Sequence, residues 1–147
     1  MGTDPDKVKF DLELTRRNFD HDEALVREIG GIFIEDVPQL VERLTCLRHR
    51  LLSSTADEQS DQQGAIALRE AKRIAHSIKG LAATFGAEPL VSLAREIEEE
   101  LACVSEERIA AKVQRLTEVA LETVQHLAIK LRLPQDDHNA SSDSRHR

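Results

Sequence analysis

The run QGAIALREAKRIAHSIKGLAATFG, residues 63–86, decides the fold. Placed at about 100° per residue with Ile78 as zero, its residues Ala67, Ala71, Ile74, Ala75, Leu81, Ala82 and Phe85 fall within roughly 60° of Ile78. One apolar sector on an otherwise polar helix means that this segment buries one face against other helices. His76 falls roughly 160° from Ile78, with Arg69 at about 180°, Gly80 near −160°, Ala83 near 140°, Arg73 near −140°, Lys72 near 120° and Lys79 near 100°. The histidine is therefore expected on the solvent side, and Gly86 is expected to end the helix in the left-handed conformation that glycine adopts without penalty.

The same reading extends outward along the chain. Residues 22–52 carry Val26, Ile29, Phe33, Val37, Leu40, Leu44, Leu47 and Leu51 at spacings of three and four, one continuous stripe interrupted by Gly30, Gly31 and Pro38. A bend one turn before Pro38 is expected there rather than a break. Residues 11–18 form a short amphipathic piece with Leu12 and Leu14, and the polar run 53–64 reads as a linker. Pro89 suits the first turn of a third long helix with the stripe Leu90, Ala94, Ile97 and Leu101. Ser105 caps a fourth, with Glu106 and Glu107 near its positive end and the stripe Ile109, Val113, Leu116, Ala120, Val124, Leu127 and Leu131, and Pro134 stops it. No strand pattern occurs. The expectation is an all-α, antiparallel four-helix bundle of up-down-up-down topology with a short extra N-terminal helix. Residues 1–10 are read as a flexible arm, 11–133 as the bundle and 134–147 as a disordered tail.

Composition agrees. The chain of 147 residues is 40% hydrophobic yet only 3% aromatic, with no Trp or Tyr, which favours helices built from Leu, Ala, Glu and Arg. A net charge of −7 argues against nucleic acid as a partner. No apolar run approaches the ~20 residues of a membrane span, and the N-terminus lacks the apolar region of a signal peptide. Cys46 and Cys103 stand in no metal or redox motif and read as free, half-buried thiols, so a cytoplasmic location is expected. In that compartment the sequon at Asn139 has no use.

Two readings of His76 stand at this point. One is an inert histidine on a solvated charged face. The other is a nucleophilic or anion-carrying histidine approached by a partner: Lys72, Arg73 and Lys79 lie within a turn or so, and Gly80 and Ala83 keep the surface beside the ring low. Nearby bases favour the neutral ring a nucleophile needs, and they would pair with an anion once attached. Nothing in the spacing names that anion.

The segment Ala75-His76-Ser77-Ile78-Lys79-Gly80, followed by Ala82-Ala83, Phe85-Gly86-Ala87 and Leu90, resembles the histidine-containing phosphotransfer (HPt) domain family. Phe33-Ile34-Glu35-Asp36-Val37-Pro38 is similar to that family's F-x-x-D-x-P segment, and the likeness runs from about residue 11 to 131. The resemblance implies that His76 is the phosphoacceptor, that Lys79 neutralises phosphoryl oxygens, and that Gly80 gives steric access; Lys72, Arg73 and Ala83, which the wheel places beside the ring, are then expected to face the partner. It implies response-regulator receiver domains as partners, with a hybrid histidine kinase upstream. With no carboxylate cluster foreseen near His76, Mg²⁺ is expected to be supplied by the receiver and no cofactor to be bound by this chain. No nucleotide-binding loop occurs, so a carrier rather than a kinase is expected. Exposed residues of the first long helix are candidates for the docking rim.

Related arrangements compete. HSIKGLAATFG also resembles the phosphotransfer domain of chemotaxis-type histidine kinases, but only a tail follows here, so a free-standing shuttle is expected; a self-contained bundle needs no partner for its core, so a monomer is expected. The dimerisation domain of ordinary histidine kinases carries an acidic residue after the His and a Pro a turn later, where Ser77 and Leu81 stand. An adaptor bundle that no longer carries phosphate is a different class. A metal-binding bundle lacks support, because His21, His49, His76 and His126 are not at i, i+4 spacings.

Overall fold

The protein is described by a computed structural model covering residues 10–52, 58–100 and 105–132. Residues 1–9, Leu101, Cys103, Pro134, the rest of the 134–147 tail and its sequon lie outside the described residues. Five helices occur, α1 (Leu12–Asn18), α2 (Glu23–Leu52), α3 (Glu58–Thr84), α4 (Glu88–Glu98) and α5 (Glu106–Leu131), with no strand among the described residues.

Local chemistry explains the boundaries. Asp11 caps α1 by accepting the Leu14 N–H at 3.1 Å, and Asp22 accepts the Leu25 N–H at 3.2 Å at the start of α2. Ser105 accepts the Arg108 N–H at 3.1 Å, as its position predicts, and Pro89 lies in the first turn of α4. α2 stays helical through Gly30, Gly31 and Pro38. α3 begins at Glu58, earlier than the expected linker over 53–64 allows. Glu and Gln are good helix formers and acidic residues suit a helix N-terminus, so a polar run there extends the helix instead of ending it.

α3 closes as expected at Gly86, whose φ is +62°. The Ala87 N–H reaches the Ala82 carbonyl at 3.0 Å and the Gly86 N–H the Ala83 carbonyl at 3.1 Å, the paired bonds of a Schellman close. Asp11 packs on this turn, its N–H donating to the Phe85 carbonyl at 2.7 Å, and the buried Thr15 hydroxyl donates to the Thr84 carbonyl at 2.9 Å. α1 is thereby fixed across the end of α3.

The apolar stripes meet in one core. α2 packs on α3 and α5, and α4 packs on α3 and α5, so the contacts close a ring. Val26, Phe33, Val37, Leu44, Ile78, Phe85, Leu90, Ile97, Leu116 and Leu127 are fully buried, and Phe33 meets Phe85 edge-on with centroids 5.4 Å apart. Arg27 donates to the carbonyl of Leu131, tying the start of α2 to the end of α5. Cys46 is free but exposed, a correction to the half-buried reading: it lies one position off the α2 stripe, beside the buried Leu47. Among the described residues no helix is long and apolar enough to cross a membrane.

The Gly86→Ala variant is expected to lose about 1–2 kcal/mol in urea unfolding, since an L-residue there is held left-handed. An added Cβ would also lie 2.9 Å from the Asp11 Cβ. An unchanged midpoint would show that the turn relaxes without cost.

Candidate functional site

α3 turns nearly all the faces its periodicity predicts. Ala67, Ala71, Ile74, Ala75, Ile78, Ala82 and Phe85 are buried, while Leu81, expected in the same sector, is only partly buried at its edge beside the α2–α3 groove, and His76 points outward with its side chain 72% exposed. Gly80 and Ala83 are exposed beside it, and a Cβ built on Gly80 would meet nothing within 4 Å. Nothing in the bundle requires that glycine, so the clearance above it faces outward.

The ring is not surrounded by bases alone. α4 folds back along α3 from the Gly86 turn and brings Glu98, its last residue, against His76: Nδ1 lies 2.7 Å from Glu98 Oε2. The other carboxylate oxygen, itself buried, forms an ion pair with the Lys79 ammonium at 2.5 Å. Lys79 holds the Glu98 carboxyl below the ordinary carboxylate range, His76 adds to this, and burial opposes it. An ionised carboxylate only accepts hydrogen bonds, so Nδ1 carries a ring proton, and in the neutral form of the ring the lone pair sits on Nε2.

The predicted site residues separate into two groups. His76, Lys79 and Gly80 are brought together, with Ala83 on the same open surface. Lys72 is half-buried one turn before His76. Arg73 is exposed, but its guanidinium pairs with Glu70 at 3.0 Å, and Glu70 also takes Arg43 of α2 at 2.7 Å. It leans toward α2 and away from Glu98. Glu98 was invisible in sequence, because one glutamate among Glu96, Glu98, Glu99 and Glu100 carries no mark of its own. Only folding α4 back on α3 singles it out.

An open groove of about 640 Å³ runs between α2 and α3 next to the site, lined by Asp36, Gln39, Leu40, Arg43, Ser77 and Leu81. Ile32, 44% exposed, sits one turn before Asp36 on α2. Among the described residues no group of three or more His, Cys, Asp or Glu side chains is placed to hold a metal ion.

The family model for the Hpt domain matches residues 28–132, and the chain belongs to that family. No curated protein and no solved structure gives a significant match. Hpt domains carry phosphoryl groups in two-component phosphorelay signalling rather than acting as kinases, and they work with receiver domains and histidine kinases.

Because the folded state lowers the Glu98 pKa, the stability it contributes is present above the ordinary carboxylate range and is lost as pH falls through the lowered value. The melting-temperature gap between wild type and Glu98→Gln is therefore expected to be widest near neutral pH and to close on acidification below about pH 4. A gap of constant size would show that the Glu98 charge is not what the site uses.

Proposed function

We propose that this protein is a histidine phosphotransfer carrier in which Nε2 of His76 takes a phosphoryl group from the aspartyl phosphate of one receiver domain and passes it to another. The observation that carries this reading is an exposed imidazole whose Nδ1 proton is fixed by Glu98, leaving Nε2 free beside an open glycine surface.

The chemistry follows from that tautomer. As Nε2 attacks in line, the N–P bond forms and the aspartyl O–P bond breaks, the aspartate leaving as a carboxylate. The ring keeps its Nδ1 proton and becomes a cation, which the Glu98 carboxylate holds. In the onward step the N–P bond breaks and the ring departs as neutral imidazole with its proton still on Nδ1, so neither step requires proton transfer. Lys79, half-buried one turn from His76 and paired with Glu98, is assigned the neutralisation of phosphoryl oxygens once the group arrives. Mg²⁺ held by the receiver supplies further charge neutralisation.

Docking is assigned to the face around His76. Leu40 and Leu81 are partly buried and line the α2–α3 groove, the exposed Ile32 extends it, and Gly80, Ala83, Lys72 and Arg73 border the ring. A hybrid histidine kinase is proposed as the upstream source. We read the bundle as an antiparallel, up-down-up-down monomer; the return of α4 along α3 supports the antiparallel order of that pair. The free Cys46 thiol suits the reducing cytoplasm.

Incubation with a phosphorylated receiver domain and Mg²⁺ tests the reading. Label should appear on wild type and be absent from His76→Gln; no label on wild type, or equal label on both, would overturn it. A second variant tests access. Gly80→Gln should leave the fold intact and up to about 1 kcal/mol more stable, since a mid-helix glycine is replaced, yet lose transfer because the side chain fills the approach. Undiminished transfer would remove the reason given for Gly80.

A further inference from the structure

Glu98 stands where a helix holds a carboxylate least well. It is the last residue of α4, where carbonyls lack intrahelical partners, the negative end of the dipole opposes an anion, and ends fray. His76 nonetheless depends on it for its tautomer, so something must hold the end of α4 in register with α3.

The side chains two residues on either side of Glu98 supply the hold. Lys112 of α5 lies 3.3 Å from Glu96 Oε1 and 2.9 Å from Glu100 Oε2, and Arg108 Nε lies 3.2 Å from that same Glu100 oxygen. Glu96 and Glu100 are one turn apart and face α5, while position 98, about 200° from 96, faces α3. Glu100 is 8% exposed. A buried carboxylate is costly unless paired and hydrogen-bonded, and here two cations converge on it. Lys112 draws the Glu100 carboxyl below its ordinary range against the effect of burial, and Glu100 raises the Lys112 ammonium in return. The backbone joins in: the Glu99 N–H donates to the Arg95 carbonyl at 3.0 Å and the Glu100 N–H to that of the buried Ile97 at 3.2 Å. None of these groups touches His76, and transfer chemistry has no use for them directly.

We propose that Glu96, Glu100, Arg108 and Lys112 form a clamp that positions Glu98, so that Lys112 and Glu100 act on the His76 tautomer from the opposite side of α4. They are positioning residues. The consequence for transfer rests on the phosphocarrier reading of His76, but the consequence for the tautomer does not.

Imidazole ¹⁵N shifts of histidine-labelled full-length protein, recorded above the ring's titration, read the tautomer directly. Wild type should show His76 mainly as the Nδ1–H form, and Glu98→Ala should shift it toward Nε2–H. Lys112→Met should shift it the same way and slow phosphoryl uptake at saturating phosphorylated receiver by about tenfold, while the half-saturating receiver concentration stays unchanged because the α2–α3 docking face is untouched. Lys112→Arg should restore both. If Lys112→Met fails to fold, the surface change Glu96→Gln takes its place, with a smaller shift in the same direction expected. A wild-type tautomer ratio in the folded variant, alongside a shifted ratio in Glu98→Ala, would overturn the clamp. Absence of transfer in wild type would overturn the carrier reading alone, since the tautomer readout needs no receiver.

Discussion

The turn at Gly86 is the constraint on which the rest of the arrangement depends. Its left-handed φ lets the chain leave α3 through a Schellman close and return along the same helix as α4. The return path decides which α4 residue lies opposite His76, and that residue is Glu98. The same turn presents the Phe85 carbonyl to Asp11 and the Thr84 carbonyl to Thr15, so α1 is anchored where α3 ends. Phe85 enters the core edge-on to Phe33 just before the turn. One glycine thus couples the N-terminal helix, the aromatic contact of the core and the carboxylate partner of His76.

Electrostatics at the site is a contest with a definite winner. Burial and the negative end of α4 both disfavour a charged Glu98, the dipole by about 0.3–1 kcal/mol. The contacts with Lys79 and His76 act the other way, and the net direction is toward the ionised form. The Lys79 ammonium is thus held by Glu98 before any phosphoryl group arrives, against the view from sequence of a basic patch waiting for an anion. Glu98 offsets Lys79 beside the ring and Glu70 offsets Arg73, on a chain whose net charge is −7. What the site offers a partner is therefore geometry, a fixed tautomer and a cleared surface, more than a large positive field.

Legibility from sequence followed the range of the forces involved. The outward turn of His76, the Gly86 close, the Ser105 cap and Pro89 in a first turn all depend on residues within a few positions of each other, and period and capping rules reach that far. Ile34 and Val41, buried on the α5 side of α2, were not in the stripe, because the strict three-four spacing traces only the centre of a face that packs against two neighbours. Arg73 looked available until Glu70, three residues earlier on α3, took it. That choice depends on Arg43 of α2 meeting the same carboxylate. Glu98 and its clamp on α5 were hidden for the same reason: each contact joins two helices whose relative register the stripes leave open.

Two glycines near the end of α3 occupy opposite surroundings. At Gly86 a side chain would collide with Asp11 and strain the backbone, so the bundle itself excludes one. At Gly80 a Cβ would meet empty space, and helix propensity would favour having it. Gly31 of α2 is equally unobstructed, but no histidine stands one turn from it. The cost of glycine at position 80 is therefore without a beneficiary inside the chain. It becomes intelligible on the proposed reading, in which Nε2 of His76, with Nδ1 engaged by Glu98, is reached by a second molecule.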